Sequence, residues 1–462
     1  MEAVYAFYAI YDDFWTCNAL ANIRYSGDLT DTYWEAEYNF CSENGPAVEA
    51  ALDDLYCCLS DSPLRTELEG DDYFGAGFFE GYEESTYDET LVSLMEKEAQ
   101  LISQYYELSD AASAAEYYSE AYFSTYGSAM AELYVELVKV RQEIAAYAGY
   151  DSYQEYAYDF NYLRNYTPKE ATAYLEQVGM YLYDLYVYSD MSDIWEDGAD
   201  YCTESQTFRY VQAAANAMGG TPSEAFDLLQ KARLYDIAYG ENKFNSSFEV
   251  YLWSYYEPFI FMNPYLDQSD KLTFAHEFGH FTNDYACSGS YAGIDIAEIH
   301  SQAFEYLSLC YVDNTEVLTR YKLADSLCVY MENAAYSLFE HQVYDLPAED
   351  LTAENITALY EYVGTFFGFD SLQWDVRDWV TIPHFFTQPM YMVSYVVSND
   401  LAMQIYQLEL EQPGEGLALY EECLTSQDSY LLYFAQTYGL QSPFDEGRLE
   451  EVAKLFSETF GE

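Results

Sequence analysis

Two histidines four residues apart with a glutamate beside the first, His276-Glu277-Phe278-Gly279-His280, are the residues of this chain best placed to do chemistry. On a helix the two imidazoles lie one above the other, close enough to hold one metal ion. Glu277 then stands where it can take a proton from water activated by that metal. The chain has five histidines in 462 residues, and at that usage roughly 0.005 such patterns would arise by chance. The spacing is therefore read as a metal site, with one Zn2+ ion as the expected cofactor. The same ligand types also suit manganese or cobalt. A purely structural zinc site fills its fourth position with protein and has no use for an unligated base, so the presence of Glu277 favours catalysis.

A third ligand must come from another element if one metal position is to stay open. Gly289-Ser290-Tyr291-Ala292-Gly293-Ile294-Asp295 reads as a reversal, and a second helix follows through Ile296 to Glu305. Glu298 arrives on that helix as the expected third ligand. Ser301, Gln302 and Glu305 follow it at i+3, i+4 and i+7 on the same face, suited to orient a ligand histidine through its other ring nitrogen. His300 falls on a different face and reads as an ordinary core or surface histidine. His341 has no supporting context.

The elements that must carry these residues are mainly helical. Apolar positions recur at three- and four-residue spacing over 89–108, 110–148, 168–190, 207–218, 222–235, 351–365 and 446–459. Thr167-Pro168-Lys169-Glu170 and Thr221-Pro222-Ser223-Glu224 each combine a capping threonine, proline at the first helical position and glutamate at the third. The metal helix itself is expected over 269–287. Strand signals are few: Ser247 to Trp253 alternates, and Pro258 to Met262 follows a short polar turn, which together predict a small sheet beside that helix. If Phe259-Ile260-Phe261 is an edge strand, its free backbone groups can pair with an extended peptide. Those three residues, with the loop glycines Gly289 and Gly293, are the expected substrate contacts. A break between Ser189 and Thr207 divides the expectation into an N-terminal helical lobe, 1–195, and a catalytic part, 196–462, packed as one body.

The residues carry a family resemblance. His276-Glu277-Phe278-Gly279-His280 with Glu298, Ser301, Gln302 and Glu305 is similar to the active site of the thimet oligopeptidase and oligoendopeptidase F family of zinc peptidases. Glu257-Pro258-Phe259-Ile260-Phe261-Met262-Asn263 resembles the strand that precedes the zinc helix in the oligoendopeptidase F branch. Ile382-Pro383-His384-Phe385-Phe386, then Pro389, Tyr391 and Tyr395, resembles that branch's histidine and tyrosine segment, although Phe386 and Val393 stand where further tyrosines belong. The resemblance runs from about residue 90 to the C-terminus and is looser before it. It implies a large helical two-lobed body with a deep central channel that admits short unstructured peptides. The expected activity is endopeptidase hydrolysis with Glu277 as base, and with His384, Tyr391 and Tyr395 as candidates to stabilise the oxyanion. An exopeptidase on the same site, or a zinc-stabilised protein that captures peptides without cutting them, are the alternatives.

Composition narrows the partners. The net charge is −64, from 17 basic and 81 acidic residues, and such a surface repels nucleic-acid phosphates and anionic lipid. Aromatic residues at 19 % argue against an acidic disordered chain. The nine cysteines form no C-x-x-C pair and read as mostly free thiols. No apolar run reaches the length of a membrane span. The first residues already read as mid-helix without a cap, from which we expect a secreted or surface-held bacterial protein that has lost a signal segment, in preference to a cytoplasmic one.

Overall fold

The structure is a computed structural model that describes residues 2–70, 74–82, 87–113, 119–289, 292–426 and 428–460. Ser290 and Tyr291 of the expected reversal, and residues 114–118 of the expected helix 110–148, lie outside the described residues. The chain is mainly helical with one three-stranded sheet. It divides into two compact units, one of residues 1–25 and 31–156, the other of 26–30 and 157–462. The division expected at 195/196 falls inside the second unit, within the helix Ser192–Gly198.

The first unit is built on the long helices Thr32–Ser60, Glu89–Ser113 and Ser128–Tyr147. The helix read as ending at 108 continues to Ser113, and a wide turn over Phe123–Gly127 leads into Ser128–Tyr147. Val138, Leu137 and Tyr134 are fully buried there, and the buried Arg141 is neutralised by Glu98 at 2.6 Å.

The second unit holds every residue expected to do chemistry. Thr167 caps the helix Pro168–Tyr188 through the reciprocal bonds with Glu170 that its sequence predicts. Thr221 does not form the corresponding box: the helix Gly220–Ala232 starts earlier, and the Thr221 N–H is donated to Glu421 instead. The sheet comprises β1 Tyr235–Asp236, β2 Ser247–Leu252 and β3 Glu257–Met262, in the order β1-β3-β2. β3 runs antiparallel to β2 and parallel to β1, so it is the central strand. This corrects the expectation that Phe259-Ile260-Phe261 forms an edge: Ile260 and Phe261 are fully buried and Ile260 N–H is donated to Leu234. Among the described residues the open edge beside the metal helix belongs to β2.

Three helices complete the frame. The histidine helix, Asp270–Cys287, is set at its start by Asp270, whose carboxylate accepts the N–H groups of Tyr265, Leu266 and Asp267. It ends where Ser288 and Gly289 turn left-handed, at φ 56° and 77°. The glutamate helix, Ile294–Tyr311, packs on it, and the tyrosine helix, Val393–Glu411, packs on the glutamate helix. Phe274, Phe278 and Phe281 bury one face of the histidine helix completely, which leaves His276 and His280 on the other.

Candidate metal centre

The histidine and glutamate helices approach as closely as backbones allow, and Gly279 is the reason. A Cβ on Gly279 would lie 2.5 Å from the Cα of Ser301 and 2.7 Å from the carbonyl oxygen of His300. Only glycine lets the second helix settle there, one turn from Glu298. As a result one ligand atom each from His276, His280 and Glu298 lie within 4.8 Å of one another. Glu298 Oε2 stands 3.4 Å from His276 Nε2 and 3.9 Å from His280 Nε2. Among the described residues this is the one cluster of three or more such groups able to hold a metal ion. Two imidazoles and a carboxylate fit a zinc ion with one position left for water or substrate.

The surrounding groups fix those ligands. Glu305 Oε1 lies 2.8 Å from His276 Nδ1, which leaves Nε2 free to face the centre. Its other oxygen meets the buried Lys322 ammonium at 2.7 Å, and Lys322 also approaches Asp325 at 3.5 Å. Ser301 Oγ donates to Glu298 Oε2 at 3.2 Å, while the Tyr391 hydroxyl donates to Glu298 Oε1 at 2.5 Å. Gln302 Nε2 donates to the Tyr395 carbonyl at 3.3 Å, tying the glutamate helix to the tyrosine helix. Ser301, Gln302 and Glu305 thus all act within the cluster, each on a different partner. Lys322, 17 residues beyond Glu305 on the helix Glu316–Tyr344, carries no local sequence signal.

Charge at the centre follows from burial and these contacts. Burial opposes the charge on His276, yet its hydrogen bonds with Glu298 and Glu305 raise its pKa well above the usual range. Burial likewise would raise Glu298, but the His276 bond and charge, the His280 charge and the Tyr391 hydroxyl hold it down at about 2. Burial pushes His280 down to about 4, ready to offer a neutral nitrogen.

Glu277 is buried next to the ligands and accepts a hydrogen bond from Ser247 Oγ at 2.7 Å. Burial lifts its pKa to about 7, with His276 and Ser247 pulling the other way. Ser247 is the first residue of β2, paired with Met262, so the strand begins beside the Glu277 carboxylate. The sequence reading placed Ser247 on a strand but gave it no role. Farther along β2, Glu249 is pushed well above its usual range by burial and by the Asp284 and Glu277 charges.

His384, Tyr391 and Tyr395 form a ring cluster, with centroids 5.2 to 5.8 Å apart. The roles separate: Tyr391 is engaged with Glu298, whereas the Tyr395 hydroxyl meets His384 Nε2 at 3.3 Å. Burial, only partly opposed by Glu298, lowers His384 to about 4, so its ring is neutral near pH 7. Gly289 and Gly293, expected as substrate contacts, pack against other parts of the chain. Both are buried, and a Cβ would meet the Tyr251 ring at 2.4 Å or the Ser429 carbonyl at 2.1 Å. His300 is buried against Tyr420 and Phe434, and His341 is held by Tyr158 and Thr172. Among the described residues no cysteine is joined in a disulfide, and Cys287 Sγ donates to the Leu424 carbonyl.

Residues 1–87 match the Peptidase M3 N-terminal domain family, which is the stretch where the residue-by-residue resemblance was loosest. No curated protein matches the chain. Among solved structures, PZ peptidase A with an inhibitor superposes with a TM-score of 0.83 at 21 % identity, covering 97 % of this chain and 90 % of that one. A protein assigned as oligoendopeptidase F gives 0.81 at 21 % identity, with 97 % and 90 % covered. A third, from Bacillus anthracis str. Ames and assigned likewise, gives 0.81 at 21 % identity, with 97 % and 89 % covered. At this identity the likeness establishes the fold.

Proposed function

We propose that this chain, whose N-terminal match and fold support the M3 and oligoendopeptidase F family of peptidases, is a zinc-dependent endopeptidase of short, unstructured peptides. The observation that carries the reading is the convergence of three ligand groups, with an unligated, buried glutamate beside them. His276, His280 and Glu298 would hold the ion. When bound, zinc supplies a Lewis acid that makes water nucleophilic near neutral pH and polarises a carbonyl.

The protein's own groups do the proton work. Glu277, kept in place by Ser247, takes a proton from the attacking water and returns it to the leaving nitrogen. A carboxylate with a pKa near 7 is matched to both halves of that task. The Tyr395 hydroxyl and the neutral His384 ring donate toward the carbonyl oxygen as charge develops on it. Tyr391 holds Glu298 in orientation. The open edge of β2 offers backbone groups to an extended peptide, so binding depends on the main chain more than on substrate side chains. That favours cleavage within a peptide over trimming from a terminus, because no free end has to be held.

The test compares zinc-loaded protein with its Glu277→Gln variant on a mixed set of internally quenched peptides. The wild type is expected to cut them, and the variant to keep its zinc while losing roughly 10²–10⁴-fold in rate. Binding of the peptides by wild type with no cleavage above the variant would replace the hydrolase reading with peptide capture.

A further inference from the structure

Tyr391 reaches Glu298 from a segment that cannot hold its own shape. Met390, immediately before it, sits at φ 66°, a left-handed conformation that costs a side-chain-bearing residue on the order of 1 kcal/mol or more and persists only where neighbours enforce it. The enforcing group is Arg164. Its Nη1 donates to the Met390 carbonyl at 2.9 Å, and its Nη2 to Ser394 Oγ at 2.8 Å and to the Tyr391 carbonyl at 3.4 Å. Its Nε donates to Asp295 Oδ1 at 3.4 Å. Asp295 lies in the first turn of the glutamate helix, three residues before Glu298, and Ser394 Oγ donates to the same carboxylate at 2.5 Å. One guanidinium therefore ties the backbone behind Tyr391 to the helix that presents Glu298.

The rest of the brace is built to match. The Glu340 carboxylate accepts the Met390 N–H, with both oxygens at 3.2 Å, and the Tyr162 hydroxyl donates to the Pro389 carbonyl at 2.7 Å. Tyr158 and Tyr162 each place a ring centroid 4.5 Å from the guanidinium carbon. A lysine could supply the charge but not the planar fork that serves two carbonyls, a hydroxyl and a carboxylate at once.

We propose that Arg164 is a positioning residue of the metal centre: it holds the Tyr391 hydroxyl against Glu298, and so sets the metal affinity and the turnover that depend on that carboxylate. This rests on the reading of His276, His280 and Glu298 as metal ligands. A purely structural arginine would stabilise the fold without acting through Tyr391, and a double-mutant cycle separates the two.

Arg164→Lys, Tyr391→Phe and the double variant are compared with wild type in zinc affinity, by competition with a chromogenic chelator, and in kcat/KM on a quenched peptide. Arg164→Lys is expected to weaken zinc binding by roughly 10–100-fold in the wild-type background and by less than about threefold once Tyr391 is phenylalanine, as residues in one network are non-additive. An equal loss in both backgrounds, or a lowered melting temperature with unchanged zinc affinity, overturns the proposal. Should Arg164→Lys fail to fold, Tyr162→Phe removes the Pro389 bond of the same brace and must weaken zinc in the same Tyr391-dependent way; no change there also overturns it. A wild-type chain that binds no zinc removes the metal-site reading and this proposal together, whereas zinc binding without coupling removes only the role of Arg164.

Discussion

At the scale of single residues, the centre divides its tyrosines between two tasks. Tyr391 spends its proton on a ligand, and Tyr395 meets a neutral histidine. The expected outcome is a split between binding and rate. Tyr391→Phe should weaken zinc roughly 10–100-fold, as loss of a partner to a ligand does. Tyr395→Phe should leave zinc affinity intact and lower kcat by roughly 10²–10³-fold, as loss of an oxyanion donor does. Chelator competition and single-turnover rates on the two variants check this, and equal effects of both on zinc would refute the division. The sequence named the histidines and Glu298 because the imidazole spacing and the carboxylate one helix later are local patterns, and named Tyr391 and Tyr395 through the family resemblance. It could not divide their roles, since that depends on which hydroxyl meets Glu298 across a gap of 93 residues. Lys322 and Arg164 escaped notice for the same reason: each reaches the centre from a distant element, and neither lies in a spacing that suggests a metal. Arg164 did carry a faint signal, a cation in an acidic chain flanked by Tyr158, Tyr162 and Tyr166 at four-residue steps.

At the scale of elements, the centre depends on how closely two helices lie. Gly279 sits inside the histidine motif but binds nothing; it removes the atom that would part the helices. Gly279→Ala places a methyl 2.5 Å from the Ser301 Cα, against backbone that cannot rotate away. Overpacking of this kind costs about 1–3 kcal/mol, and here it also draws Glu298 from the histidines. The variant should melt lower and lose zinc affinity together, measured by calorimetry and chelator competition; unchanged zinc binding would show that the close approach is not needed for the site. Several of the longer helices were readable from their apolar spacing, though Thr32–Ser60 was not, and the Thr167 cap formed as its sequence predicts. The helix Glu316–Tyr344 was not singled out, because buried residues occur all round it and no single stripe stands out. The strand order was misread because β1 is only two residues long, too short for any alternation, yet it suffices to make β3 central.

At the scale of the whole chain, the dominant fact is a charge of −64. Burial pushes Glu332, which accepts a hydrogen bond from Tyr186, and Asp284 up to about 7. Folded-state pKa values above the ordinary range of about 4 mean that the folded chain holds these protons more tightly than the unfolded one. Their stabilisation is complete below the unfolded value and is lost as pH rises through about 7. Acidification also discharges the surface. The melting temperature should therefore fall as pH is raised from about 5 to 8, less steeply in Glu332→Gln; a rise over that window would contradict the assignment. Charge on this scale also bears on the unpaired side of β2. A strand unpaired on one side is open to another copy of itself, the usual first contact of a growing aggregate. Any second copy that approaches edge to edge brings a like charge with it. A small cationic peptide meets no such repulsion, so the same charge that would oppose self-pairing along β2 would admit the peptides proposed as substrates.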